Sequence, residues 1–253
     1  MSGTFIFDLD GVLYLGDEAV PGAAEVLGEI SAAGCTVLFA TNNSYRTRED
    51  GAAKIRRVTG FDAHPDQFVS SALAAASMLE PDDGPVYMLG GPGVEEAIEL
   101  AGLERTHDPA AARSVVAGLD RDISYESIAG AATAIRRGAR FIATNLDVTF
   151  PSPRGLLPGA GTIIAAVRAA SETEPEVAGK PFAPIRTLLN ARSGGHPTWM
   201  VGDRPDTDHA MAVAEGWTSV LVLTGVVSDV EGVDPKPDLV LASIAELSEH
   251  LSL

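Results

Sequence analysis

Asp8 and Asp10 stand one residue apart at the end of a short hydrophobic run, Phe5-Ile-Phe-Asp-Leu-Asp-Gly-Val-Leu13. The run reads as a β-strand, and in a parallel sheet ligands bind beyond the carboxyl ends of the strands. Side chains alternate along a strand, but Gly11 lets the chain turn, so both acids can address the space above the sheet edge. Two carboxylates so placed repel each other unless a cation or a proton relieves them. A hard, oxygen-seeking ion such as Mg²⁺ does so. By itself the pair also fits two aspartates that merely cap a turn.

Three further segments offer matching chemistry. In Leu38-Phe-Ala-Thr-Asn-Asn-Ser44 a strand runs into small polar residues and then a helix. The Thr41 hydroxyl and a free backbone N–H at such a junction suit a phosphate oxygen, although the same residue types also cap helices without binding anything. In Val177-Ala-Gly-Lys-Pro181 a single lysine, Lys180, precedes a proline and a helix. It is not a P-loop, because Pro181 stands where Ser or Thr belongs and the upstream glycine is missing. Trp199-Met-Val-Gly-Asp-Arg-Pro-Asp-Thr-Asp208 is again a strand ending in acids. Asp203 is placed to complete the oxygen shell of a metal, and Asp208 to orient it from behind.

Something must bring these segments together, and the pattern between them is regular. Strands are expected at Thr4–Phe7, Thr36–Ala40, Val86–Gly90, Ser114–Gly118, Arg140–Asn145, Thr198–Gly202, Ser219–Thr224 and Leu239–Leu241. Helical spacing of apolar residues lies between them, as in Gly22–Ala33 and Tyr125–Arg137. Gly34, Gly102 and Gly138 follow three of these helices, where a left-handed residue ends the last turn. Thr47-Arg-Glu-Asp50 fits a capping box. Alternating strands and helices predict an α/β fold with parallel sheets covered on both faces. Turn-rich breaks at Glu80–Pro85 and Glu172–Glu176 predict an insert of three strands and about three helices, with the two chain ends forming one sheet. The division expected is 1–82, 83–177 and 178–253.

Composition closes off other functions. The formal net charge is −17 over 253 residues, so nucleic acid, whose backbone needs a basic face, is not an expected partner. Cys35 is the only cysteine; it lies in an apolar run and reads as a small buried hydrophobe. The N-terminal residues do not resemble a signal peptide, and no apolar run is long enough for a membrane span. A cytoplasmic protein without membrane or nucleic-acid partners is expected. The histidines form no zinc pattern, and His209 is expected on a helix surface. Gly90-Gly-Pro-Gly93 reads as a turn opening a helix.

Taken in order, Asp-x-Asp, Thr, Lys and Gly-Asp-x₄-Asp, the motifs resemble those of the haloacid dehalogenase superfamily. Phe7-Asp-Leu-Asp-Gly-Val-Leu-Tyr14, Thr41-Asn-Asn-Ser44 and Gly179-Lys-Pro181 resemble its NagD and 4-nitrophenylphosphatase-like branch, as do Val20-Pro-Gly-Ala23, Gly138–Asn145, Leu157–Gly161 and Val222–Gly225. The resemblance covers nearly the whole chain. It implies a Rossmann-like core with parallel sheet and an inserted α/β cap that excludes water and reads the leaving group of a small phosphorylated metabolite. It further implies Asp8 as nucleophile, Asp10 as general acid and base, and Mg²⁺ held by Asp8, the Asp10 carbonyl and Asp203. Thr41, the Asn42 amide and Lys180 would neutralise the phosphoryl oxygens. Asn43, Ser44 and the cap loop containing Asp147 and Arg154 are its candidate substrate contacts. Caps of this kind often dimerise, so a homodimer through the cap is a further expectation. The dehalogenases that name the superfamily lack the second acid, so Asp10 points to phosphate esters. Phe182 replaces a serine common after Gly-Lys-Pro, and Arg204-Pro205 is one variant of a variable pair, so no single relative fixes the substrate. A phospho-aspartate signalling protein or a mutase-like phosphotransferase is the alternative. The first places its acids before the acceptor, and the second carries a helical cap near residue 14.

Overall fold

The computed structural model describes residues 3–152 and 155–251. Its contacts divide the chain into two compact units. The first takes Met1–Thr41, Glu49–Val69 and Arg186–Leu253, and the second Asn42–Arg48 and Ser70–Ile185.

The first unit is built on a six-stranded sheet, ordered Leu239–Leu241, Thr218–Val222, Thr198–Gly202, Thr4–Phe7, Thr36–Thr41 and Phe68–Ser70. The pairings from Leu239–Leu241 through Thr36–Thr41 are all parallel. Thr4–Phe7 is buried at every residue, as a central parallel strand covered on both faces must be. Phe7 stands level with Val201 in one neighbour and Phe39 in the other, so the three strands release Asp8, Thr41 and Asp203 at the same carboxyl edge. Helix Ala23–Ala32 turns Ala23, Val26, Leu27 and Ile30 inward, a spacing of three and four that lays one apolar stripe on the sheet. The core also holds Phe39, whose ring centroid lies 4.9 Å from that of Phe68, and Phe5, 5.4 Å from Trp199. Phe39 is fully buried; trimming such a ring to alanine costs about 3–5 kcal/mol. Cys35 is buried, as its apolar run implies.

The second unit has a five-stranded parallel sheet, ordered Glu176–Val177, Arg140–Ala143, Ser114–Ala117, Val86–Leu89 and Arg105–Thr106. A separate antiparallel hairpin pairs Thr149–Ser152 with Gly155–Pro158. Helices Pro92–Leu100, Tyr125–Arg136 and Ala160–Ser171 complete it. Ala131, Ala134 and Ile135 share a core cluster with Ile163, Ile164 and Val167. The α/β class holds, with the expected helices. The insert carries more strands than the three expected. Arg105–Thr106 and Glu176–Val177 are two residues long and leave no alternation to read, and the hairpin strands Thr149–Ser152 and Gly155–Pro158 carry prolines and a glycine that read as turn. Phe68–Ser70, three residues long, escaped notice in the same way. Gly34, Gly102 and Gly138 have φ of 75°, 71° and 104°, the left-handed values their positions after helices require.

Candidate active site

In the first unit, Asp8 follows the central strand, and its amide donates to the Val201 carbonyl at 2.9 Å, so the ladder continues one residue into the site. Asp203 follows the neighbouring strand Thr198–Gly202. Asp208 is brought back by a π-helical turn, Pro205–His209, and its Oδ2 accepts from the Arg204 amide at 3.2 Å. Asp8, Asp203 and Asp208 are all buried, and one oxygen from each lies within 4.8 Å of the others. Asp203 Oδ2 also accepts from the Val226 amide at 2.8 Å.

Such a group of acids needs room as well as ligands. A Cβ on Gly11 would stand 2.5 Å from Asp203 Oδ2, and Gly11 has φ of 90°, so both sterics and backbone demand glycine there. A Cβ on Gly225 would overlap the same carboxylate. The glycines of Asp-Leu-Asp-Gly and Leu-Thr-Gly thus make the space that Asp203 fills.

Three buried carboxylates this close are mutually repulsive, and an oxygen-binding cation is the natural relief. An octahedral ion with bonds of about 2.1 Å spans about 4 Å between opposite ligands, which oxygens all within 4.8 Å of one another allow with small side-chain shifts. The donor set therefore fits Mg²⁺. The Asp10 side chain stands outside this cluster. It is 53% exposed, with Oδ1 3.8 Å from Lys54 Nζ. Thr41 closes its strand and is buried.

In the second unit Asn42 is the centre of a polar network. Its Oδ1 accepts from the Lys180 amide at 2.8 Å, and its Nδ2 donates to the Lys180 carbonyl at 3.3 Å and to Asp147 Oδ2 at 3.1 Å. Asn145 Nδ2 and Ser71 Oγ both donate to the Asn42 carbonyl, at 2.6 and 2.8 Å. Lys180 is buried. The Asn42 side chain thus fixes the backbone on either side of Lys180. Ser44 is fully buried, and its hydroxyl oxygen accepts from the Leu119 amide at 3.1 Å and the Thr144 hydroxyl at 3.2 Å. Asn43 is exposed, and its Oδ1 accepts from the Tyr45 amide at 3.0 Å. Asp147 donates its amide to Asn145 Oδ1 at 3.0 Å. Arg154 lies outside the described residues.

Two residues depart from the sequence reading. His209 is buried rather than on a helix surface, because its ring bridges Ser219 Oγ and the Pro235 carbonyl, each at 2.7 Å. Lys54 was not singled out at all, yet it is buried beside Asp10. Its signal was available, since Lys54 lies three residues after Gly51 and four before Val58, on the row that turns inward.

Known proteins match this chain along its whole length. The sequence profile of the haloacid dehalogenase-like hydrolases matches residues 5–104, and a second, HAD-hydrolase-like profile matches residues 177–247. The acid sugar phosphatase of Staphylococcus aureus is 36% identical over 252 residues, covering 98% of this chain and 96% of that protein. NagD from Escherichia coli superposes with a TM-score of 0.88 at 31% identity, covering 96% of this chain and 97% of that one. A glycerol phosphate phosphatase from Mycobacterium tuberculosis, solved in complex with magnesium, does so at 0.87 and 35% identity, over 94% of this chain and 74% of its own.

Proposed function

The chain belongs to the haloacid dehalogenase-like hydrolases and is a NagD-like phosphatase, and from that premise we propose that it hydrolyses small phosphomonoesters with Mg²⁺ through an aspartyl-phosphate on Asp8. The observation that carries the proposal is the buried Asp8, Asp203 and Asp208 cluster at the carboxyl edge of a parallel sheet. Asp8, the Asp10 carbonyl and Asp203 would hold the ion, with Asp208 fixing the turn around it. When bound, Mg²⁺ offsets the charge of the carboxylates and the phosphoryl group.

Asp8 attacks phosphorus with a carboxylate oxygen, and the bond from phosphorus to the ester oxygen breaks. Asp10 gives its proton to the departing alkoxide. Water then attacks the phosphorus of the acyl phosphate, Asp10 takes a proton from it, and the bond to Asp8 breaks to release inorganic phosphate. Thr41, the backbone amide of Asn42 and Lys180 neutralise the phosphoryl oxygens, and positioning of this kind is most of phosphoryl-transfer catalysis. The Asn42 side chain serves Lys180 rather than substrate, which leaves its amide for the anion. We assign leaving-group recognition to Asn43, Asp147 and Arg154. Ser44, expected to share it, is fully buried with its hydroxyl accepting from the Leu119 amide and the Thr144 hydroxyl, and so holds the segment Asn42–Arg48 in place instead. The cap expected at 83–177, between core segments 1–82 and 178–253, corresponds to the second compact unit, whose bounds are wider, Asn42–Arg48 with Ser70–Ile185, and we assign to it the pairing of two copies. No helix among the described residues is long and apolar enough to cross a membrane.

Phosphate release from 4-nitrophenyl phosphate, with and without Mg²⁺, in wild type and Asp8→Asn, tests the core of this reading. Activity should need both the ion and Asp8. Full activity in Asp8→Asn would remove Asp8 as nucleophile, and labelling of Asp8 by a phosphodonor without hydrolysis would favour a phosphotransfer or signalling protein. A single-protomer mass in sedimentation would remove the dimer.

A further inference from the structure

Lys54 sits on helix Arg48–Thr59, which turns Gly51, Ala52 and Ile55 into the core beside it. Only 7% of Lys54 is exposed, and an ammonium is costly to bury unless charge or π-electron density faces it. Both face it here, from one loop. Its Nζ stands 3.6 Å from the centroid of the Tyr14 ring and 3.8 Å from Asp10 Oδ1. Tyr14 is itself buried, and the Gly11 amide donates to the Tyr14 carbonyl at 2.9 Å, tying the loop shut between the two partners. Asp10 is the more exposed partner, with 53% of its side chain accessible.

We infer that Lys54 is a positioning residue for Asp10: anchored over Tyr14, its ammonium holds the Asp10 carboxyl group in one orientation, so that in its acid form it faces the departing alkoxide and, once ionised, the attacking water. The inference rests on the phosphoryl-transfer reading given above. It makes a demand that a purely structural lysine does not. An ester with a poor leaving group depends on the proton from Asp10, whereas nitrophenolate departs with little help.

Hydrolysis of phenyl phosphate and 4-nitrophenyl phosphate, two esters of similar shape, is the test. Lys54→Met keeps the apolar stem and removes the charge. It should lower kcat on phenyl phosphate by roughly tenfold or more, and on 4-nitrophenyl phosphate by no more than about threefold, as expected when a general acid worth about 10²–10⁴ is misaligned. In an Asp10→Asn background the same substitution should cost phenyl phosphate nothing further. Lys54→Arg, which keeps a cation over Tyr14, should recover most of the loss. An equal loss on both esters, an additive loss in the Asp10→Asn background, or no recovery by arginine overturns the inference. Lys54→Gln carries the same comparison should the methionine variant not fold. Asp8→Asn, run beside them, separates the two failures: the phosphoryl-transfer reading falls only if that variant stays active.

Discussion

Asp203 is fixed from two directions, by the Val226 amide and by the room that Gly225 leaves. Gly225→Ala should therefore displace the carboxylate without removing it. Because groups that orient a metal ligand are worth about 10–100-fold in metal affinity, the Mg²⁺ needed for half-maximal activity should rise by about that factor, read from a metal titration. Asn42→Ala should act elsewhere. It leaves the Lys180 amide without the acceptor at 2.8 Å, and an unmet buried donor costs about 1–3 kcal/mol, measurable as a lower urea midpoint. The acids were legible because several apolar runs end in matching polar groups, Asp-x-Asp, Thr, Lys and Gly-Asp-x₄-Asp, in one order along the chain. The work of the Asn42 side chain was not, since its partners Asp147 and Lys180 are remote in sequence. His209 misled for the same reason, its burial being set by Ser219 and Pro235 across a loop.

Among the elements, strand Val86–Leu89 and helix Tyr125–Arg136 meet where Tyr87 lies against Gly130. The Tyr87 hydroxyl occupies the place a Cβ on Gly130 would take, so Gly130→Ala should destabilise by about 1–3 kcal/mol through overpacking, seen by chemical denaturation. Burial, and then the charge of Glu126, raises the Tyr87 pKa above its ordinary value. In the unfolded chain the phenol ionises first, near pH 10. Its contribution is thus complete below about pH 10 and lost as pH rises through the folded value. Tyr87→Phe should make the alkaline fall in stability shallower, measured as melting temperature against pH. At this scale the long buried strands and helices were readable from apolar runs and spacing. The two- and three-residue strands were not, because only their neighbours in the sheet make them strands.

For the molecule as a whole, bound Mg²⁺ should appear as stability. At a hundred times its dissociation constant an ion that binds only the native state adds about 2.7 kcal/mol, so EDTA should lower the melting temperature of wild type and barely move that of Asp203→Asn. The net charge of −17 adds to that need for cations in general, and moderate salt should raise the melting temperature of both. The short stretch Asn42–Arg48 has a different bearing. It belongs to the second unit although it lies far upstream of Ser70 in sequence. There the Tyr45 carbonyl accepts from the Gly93 amide at 2.9 Å, Ser44 Oγ from Leu119, and Glu96 from the Arg48 amide at 2.9 Å. A recombination that exchanged residues 70–185 alone would import a sheet and leave its clasp behind in the recipient. The module that such an exchange must carry is therefore bipartite, Asn42–Arg48 together with Ser70–Ile185.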